Sequence, residues 1–149
     1  MALNKNVLKQ AIKAIQDSNP ATIEDASKKW ATALFGYGSL AVAGSVLPTL
    51  NVASLTASFL SSMKSTTWMD DLGRNLLSWW QAALWAGPGF TGVTVPPSPL
   101  NSHNLGERIK DGVDDVSEFL STEIDKWTKT ITVTVTNTSS GATSTAPVS

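Results

Sequence analysis

Apolar residues recur at helical spacing through most of the chain. In MALNKNVLKQAIKAIQ, a turn of about 100° per residue gathers Val7, Leu8, Ala11, Ile12 and Ile15 on one face, with Lys5, Lys9 and Lys13 as a stripe beside it. A second helix is predicted to open at Asn19 or Thr22, because Asn-Pro offers a cap before a first-turn proline and Thr22 with Asp25 forms an acidic variant of the capping box. Ile23, Ala26, Trp30, Ala33, Leu34 and Tyr37 follow at spacings of three and four, and small residues continue until Pro48 stops the run. Asn51 caps a third helix carrying Val52, Leu55, Phe59, Leu60 and Met63. Thr67-x-x-Asp70 opens a fourth, with Leu72, Leu76, Trp79, Trp80, Ala83 and Leu84 and an end near Gly87-Pro88. GPGFTGVTVPPSPLNSHN is rich in breakers and reads as a long loop over 87–103. From Asn104, Leu105, Ile109, Val113, Val116, Leu120, Ile124 and Trp127 predict one long helix, whose stripe outweighs the cost of Gly112, about 1 kcal/mol relative to alanine.

After Trp127 the period changes to two. Ile131, Val133 and Val135 alternate with Thr130, Thr132, Thr134 and Thr136, a strand with one apolar face and no obvious hairpin partner. TSSGATSTAPVS then has the composition of a linker. The expected fold is therefore mainly α: a four- to five-helix domain over 1–129 with a long C-terminal helix, followed over 130–149 by a lone β-strand and a flexible Ser/Thr-rich tail. A lone strand presents unpaired N–H and C=O groups, so it goes to the sheet of another chain, or back onto its own chain if GVTV at 92–95 supplies a partner. Ile131, Val133 and Val135 are the expected interface residues. Trp68 and Trp85, which flank helix ends, join them, whereas Trp30, Trp79 or Trp80, and Trp127 lie on apolar stripes and belong to the core.

Composition narrows the function. A chain of 149 residues makes one ordinary domain, and its net charge of −1 supplies no field for nucleic acid or an anionic membrane, so no specific nucleic-acid partner is expected. Cysteine is absent, which excludes disulfides, thiolate nucleophiles and Cys-ligated zinc. The amino-terminal segment lacks the apolar stretch and cleavage site of a signal peptide. Charges are confined to Lys5–Lys29, Lys64–Arg74 and Glu107–Lys129, and the stretches between and after them carry none apart from a neutral His103. Uncharged stretches of that length point to surfaces covered by something else.

Catalytic chemistry finds little support. His103 is the single histidine, in a proline-rich loop without an acidic neighbour before Glu107. Asp111, Asp115 and Glu118 share a helix face with Asp114 nearby, yet Arg108 and Lys110 sit at salt-bridging spacing and no EF-hand loop accompanies them, so a solvated face is the better reading. Gly36-Tyr37-Gly38 lacks the Lys-Ser/Thr pair and preceding strand of a phosphate loop, and fits close helix packing instead. The run ATALFGYGSLAVAGSVL is shorter than the roughly 20 apolar residues a membrane span needs. No catalytic residue, metal or cofactor is expected.

The MALN start with its amphipathic helix, the Ala/Trp-rich KKWATALFGYG, the GFTGVTVPPSP loop and the helix end Asp125 to Thr130 running into a Thr/Val strand together resemble small virion-associated proteins encoded among the tail and baseplate genes of tailed bacteriophages. The resemblance implies a non-enzymatic structural subunit of the virion, in a tail, baseplate or neck, assembled in the host cytoplasm with copies of itself and other virion proteins. It carries over no functional residues. The competing expectation, from Lys5, Lys9, Lys13 and the uncharged stretch 30–63, is a membrane-active lysis or pore-forming factor.

Overall fold

The computed structural model describes residues 2–149. They form six helices, α1 (Lys5–Ser18), α2 (Ile23–Gly38), α3 (Val52–Lys64), α4 (Trp68–Gln81), α5 (Ser102–Asp111) and α6 (Val116–Thr128), and five strands, β1 (Leu47–Thr49), β2 (Leu84–Gly87), β3 (Phe90–Val95), β4 (Thr132–Asn137) and β5 (Thr143–Pro147). The strands make one antiparallel sheet in chain order, β1-β2-β3-β4-β5.

Side-chain caps set most helix starts. Asn4, Thr22, Asn51, Asn101 and Asp115 each accept a backbone N–H from the first turn that follows, the positions where orphan donors need a partner. α1 ends at Asn19, which adopts the left-handed conformation with φ 45°. The chain packs α1 on α2 and α6, α2 on α3, α3 on α4, and α4 on α5. The pairs α3–α4 and α5–α6 are the connections from β1 to β2 and from β3 to β4, so helices cover one face of the sheet.

The core lies between those layers. Leu8, Ile12, Leu34, Tyr37, Leu55, Phe59, Leu72, Leu76 and Ile124 come from the helices, and Trp85, Val133, Val135 and Val148 from the sheet side. Trp80 of α4 stacks on Trp85 of β2 at 6.1 Å and 19°. The polar ends of the buried indoles are satisfied: Trp85 Nε1 donates to Thr94 Oγ1 at 2.9 Å, and that hydroxyl donates to the Trp80 carbonyl at 2.8 Å. Trp79 Nε1 donates to the Asn51 carbonyl and Trp127 Nε1 to that of Ser98.

α2 ends at Gly38, ten residues before the expected stop at Pro48, which lies instead within β1; the architecture corrects the mainly α expectation in three further places. First, the fourth helix stops at Gln81, and Leu84–Gly87 and Phe90–Val95 form a hairpin with Gly87 opposite Phe90. Pro88 and Gly89, with φ 78° at the glycine, supply the backbone of a type II turn, so the residues that argued against regular structure are the turn that makes it. Second, the long helix is two helices. Gly112 takes φ 103°, outside the helical region, and Asp115 begins α6 by accepting the Glu118 N–H at 3.0 Å.

Third, the last strand is not lone and the segment after it is not a flexible tail. β4 pairs with β3, Gly92 opposite Val135 and Val95 opposite Thr132, and with β5, Thr134 opposite Thr145. Asn137 Oδ1 accepts the N–H groups of Ser139 and Ser140, and Gly141 takes φ 71°, which turns the Ser/Thr-rich segment back as a hairpin. Val42 and Ser149 exchange two N–H···O=C bonds, each 3.0 Å. This ties the end of β5 to the turn Ala43–Val46 that leads into β1.

Candidate assembly surface

The residues expected at an interface lie mostly inside. Ile131, Val133 and Val135 are buried in the chain's own core, as is Trp85. Donation of this strand to another chain is therefore overturned: β3 and β5 flank it on both sides and take its backbone groups. Trp68 is half-buried at the start of α4, edge-on to Phe59 at 4.7 Å and 5.4 Å from Trp30.

The polar candidates are dispersed. His103 Nδ1 meets Asp70 Oδ1 at 2.7 Å in an exposed pair that links α5 to α4. Asp111 closes α5 while Asp115 caps α6, so the break at Gly112 takes apart the acidic face drawn on a continuous helix. Among the described residues no group of three His, Asp or Glu side chains is placed to hold a metal ion. Gly38 does permit close packing, since a Cβ there would lie 2.8 Å from Leu50 Cδ1 and 3.1 Å from Trp79; Gly36 has open space around it.

The lysine stripe of α1 is largely engaged within the chain. Lys5 Nζ and Lys9 Nζ reach the two carboxylate oxygens of Glu118 at 2.5 and 2.9 Å. The hydrogen bond from Lys5, then that from Lys9, holds the Glu118 carboxyl down at about 2. Lys9 is raised in turn, first by its hydrogen bond to Glu118. Among the described residues no helix is long and apolar enough to cross a membrane.

What stands open is the far face of the sheet. Residues of one parity on each strand point away from the helices, and the register aligns them in rows across all five strands. One row runs Leu47, Ala86, Thr91, Thr136, Thr143. Extending the β2–β3 register by one residue aligns the next: Thr49, Leu84, Val93, Thr134, Thr145. Val95, Thr132 and Pro147 form a third. Leu84 is 71% exposed, Val93 69%, Leu47 56% and Val95 44%, values far from those of residues buried for folding.

Among the described residues no strand carries a charged side chain. The apolar side chains gather on β1–β3 and the threonines on β4 and β5. At the β1–β2 edge the face continues into a groove of about 530 Å³ whose walls include Phe35, Leu50, Val52, Thr49 and Leu84. A second groove, of about 550 Å³, lies between α1 and α2 with Ala11, Ala14, Ala33 and Gly36 in its walls. Lys28, Lys29 and Asp25 border it, whereas the groove beside Leu84 has no charged residue in its walls.

Leu47, Leu84, Val93 and Val95 were not among the residues expected at a surface contact. A signal for them did exist: β1 falls in the uncharged stretch 30–63, β2 and β3 in 75–106, and β4 and β5 in 130–149. Every strand thus lies in an uncharged stretch, although those stretches also hold the second half of α2 and nearly all of α3. Compared with known protein families, with characterised proteins and with solved structures, the chain finds no match.

Proposed function

We propose that the protein is a structural subunit of a tailed-bacteriophage virion, in a tail, baseplate or neck, and works by assembling with copies of itself and other virion proteins. The observation that supports this reading best is the outer face of the sheet, where exposed Leu47, Leu84, Val93 and Val95 share a surface with threonines and no charge. An exposed sheet that served only to cap a core would carry Lys and Glu for solubility, and a face without them is suited to being covered. The phage-like sequence elements supply the kind of assembly. Against the membrane-active alternative stands the use of Lys5 and Lys9 in pairs with Glu118, which leaves α1 docked on α6.

The test is mass spectrometry and immunogold labelling of purified particles with an antibody to this chain. The reading expects the protein in particles, at many copies and at one location on the tail, baseplate or neck. Its recovery in host membranes with none in particles would overturn the reading.

A further inference from the structure

We infer that the outer sheet face is a homotypic contact, in which two copies stack their sheets face to face about a two-fold axis near Val93. The inference rests on the reading of this face as an assembly contact and names its occupant, a second copy of this chain.

Three observations converge on that occupant. The polar groups of the face are threonine hydroxyls, each both donor and acceptor, so an identical array can satisfy them; a face of lysines or carboxylates would need an opposite one. The uncharged strands offer no electrostatic handle by which a charged partner could be selected. Val93 occupies the middle strand and the middle row, so in a two-fold stack about the centre of the face it meets its own copy, with Leu84 beside it.

Area sets the strength. Five strands about 4.8 Å apart and about five residues long present a face on the order of 400 Å², so two stacked faces bury roughly 800–1,000 Å² in all. That falls short of the roughly 1,200 Å² at which stable interfaces begin. Such a contact gives a weak, concentration-dependent dimer that becomes durable when other contacts hold the copies side by side.

Sedimentation velocity and small-angle scattering of the full chain over a dilution series reaching about 1 mM test this directly, at the weak end of specific affinity. The wild type should show a reversible monomer–dimer equilibrium. Val93→Lys and Val93→Glu, each placing like charges against each other at the axis, should each weaken association roughly a hundredfold. An equimolar mixture of the two should associate again, because lysine then faces glutamate. Unchanged melting and circular dichroism will verify that these exposed substitutions leave the fold intact.

A wild-type chain that stays monomeric to that concentration, variants that dimerise as the wild type does, or a mixture that fails to recover would each overturn the homotypic contact. So would a monomer that pellets with phosphatidylcholine vesicles and loses that binding in Val93→Lys, since the face would then belong to lipid. Detection of the protein in particles despite a monomeric chain removes this inference and leaves the virion reading standing. A dimer formed by a chain absent from particles does the reverse.

Discussion

Tyr37 of α2 donates its phenolic hydrogen to Asp125 Oδ1 of α6 at 2.7 Å, both side chains being buried. Lys129 holds the other carboxylate oxygen at 2.8 Å. Burial first, and then the bond to Asp125, raises the phenol well above its usual range. Tyr37→Phe leaves a buried carboxylate short of a donor and should cost about 1–3 kcal/mol in urea unfolding.

Tyr37 is also the single tyrosine, so its titration can be followed by ultraviolet absorbance. Because the folded-state pKa lies above the unfolded one, this group's contribution to stability is complete below about pH 10 and declines as pH rises beyond it. The phenolate band should therefore emerge together with alkaline unfolding, not before. A phenolate signal near pH 10 with far-ultraviolet dichroism intact would show that the hydroxyl is reachable in the folded chain.

Glu118 predicts the opposite dependence at the acid end. Its folded pKa of about 2 lies below that of an ordinary glutamate, so its contribution is present at neutral pH, starts to fall below about pH 4.5 and is gone near pH 2. The melting temperature of the wild type should exceed that of Glu118→Gln at pH 7, and the two curves should converge as pH falls through that window. Parallel curves would mean that the Lys5 and Lys9 pairs add nothing to the docking of α1.

Two helical glycines should respond with opposite sign. A Cβ at Gly73 in α4 would lie 1.9 Å from the Leu100 carbonyl oxygen, and the same approach lets Ser102 Oγ accept the Gly73 N–H at 2.9 Å. Gly73→Ala should thus displace the segment leading into α5 and destabilise by about 1–3 kcal/mol. Gly36 in α2 has nothing within 4 Å, and Gly36→Ala should stabilise by up to about 1 kcal/mol. Chemical denaturation of the two variants measures both.

Truncation after Lys129 removes β4 and β5, and with them buried Ile131, Val133, Val135 and Val148. At roughly 1.5–3 kcal/mol per buried aliphatic side chain, the loss is on the order of 6–12 kcal/mol. That rivals the whole stability of a typical domain, about 5–15 kcal/mol. The shortened chain should show no cooperative thermal transition. Helices that melt cooperatively without the strands would show the sheet to be dispensable.

The helices were legible because their caps and stripes act locally: Thr22, Asn51 and the apolar spacings of α1 to α3 carry their meaning within a few residues. The sheet was not, because β1 and β2 are three and four residues long and their pairing lies across α3 and α4. Leu84 illustrates the ambiguity. Four residues after Trp80 it continues the helical stripe, yet the same hydrophobicity serves a strand, and only the Pro88-Gly89 turn and the following GVTV decide the matter. The alternation of Ile131, Val133 and Val135 marked β4 correctly as a strand with a buried face. Of the two destinations drawn for it, its own chain received it: GVTV at 92–95 lies in β3 and pairs with β4, although the surrounding glycines and prolines read as a loop. The break between α5 and α6 turned on Gly112 at positive φ, a conformation that an apolar stripe does not reveal.

The pair formed by Val42 and Ser149 joins the two ends of the sheet's sequence. Every other neighbour in the sheet follows its predecessor in sequence, by a short turn or by one helical excursion. Among the neighbours of the sheet this pair spans the longest stretch, 107 residues, and closing a loop of that length brings an entropic cost for two hydrogen bonds. The region from β2 to β4 can therefore serve as nucleus, with this closure late on the way in and early on the way out. Val42→Pro, which removes the N–H donated to Ser149, should speed unfolding while leaving the refolding rate nearly untouched.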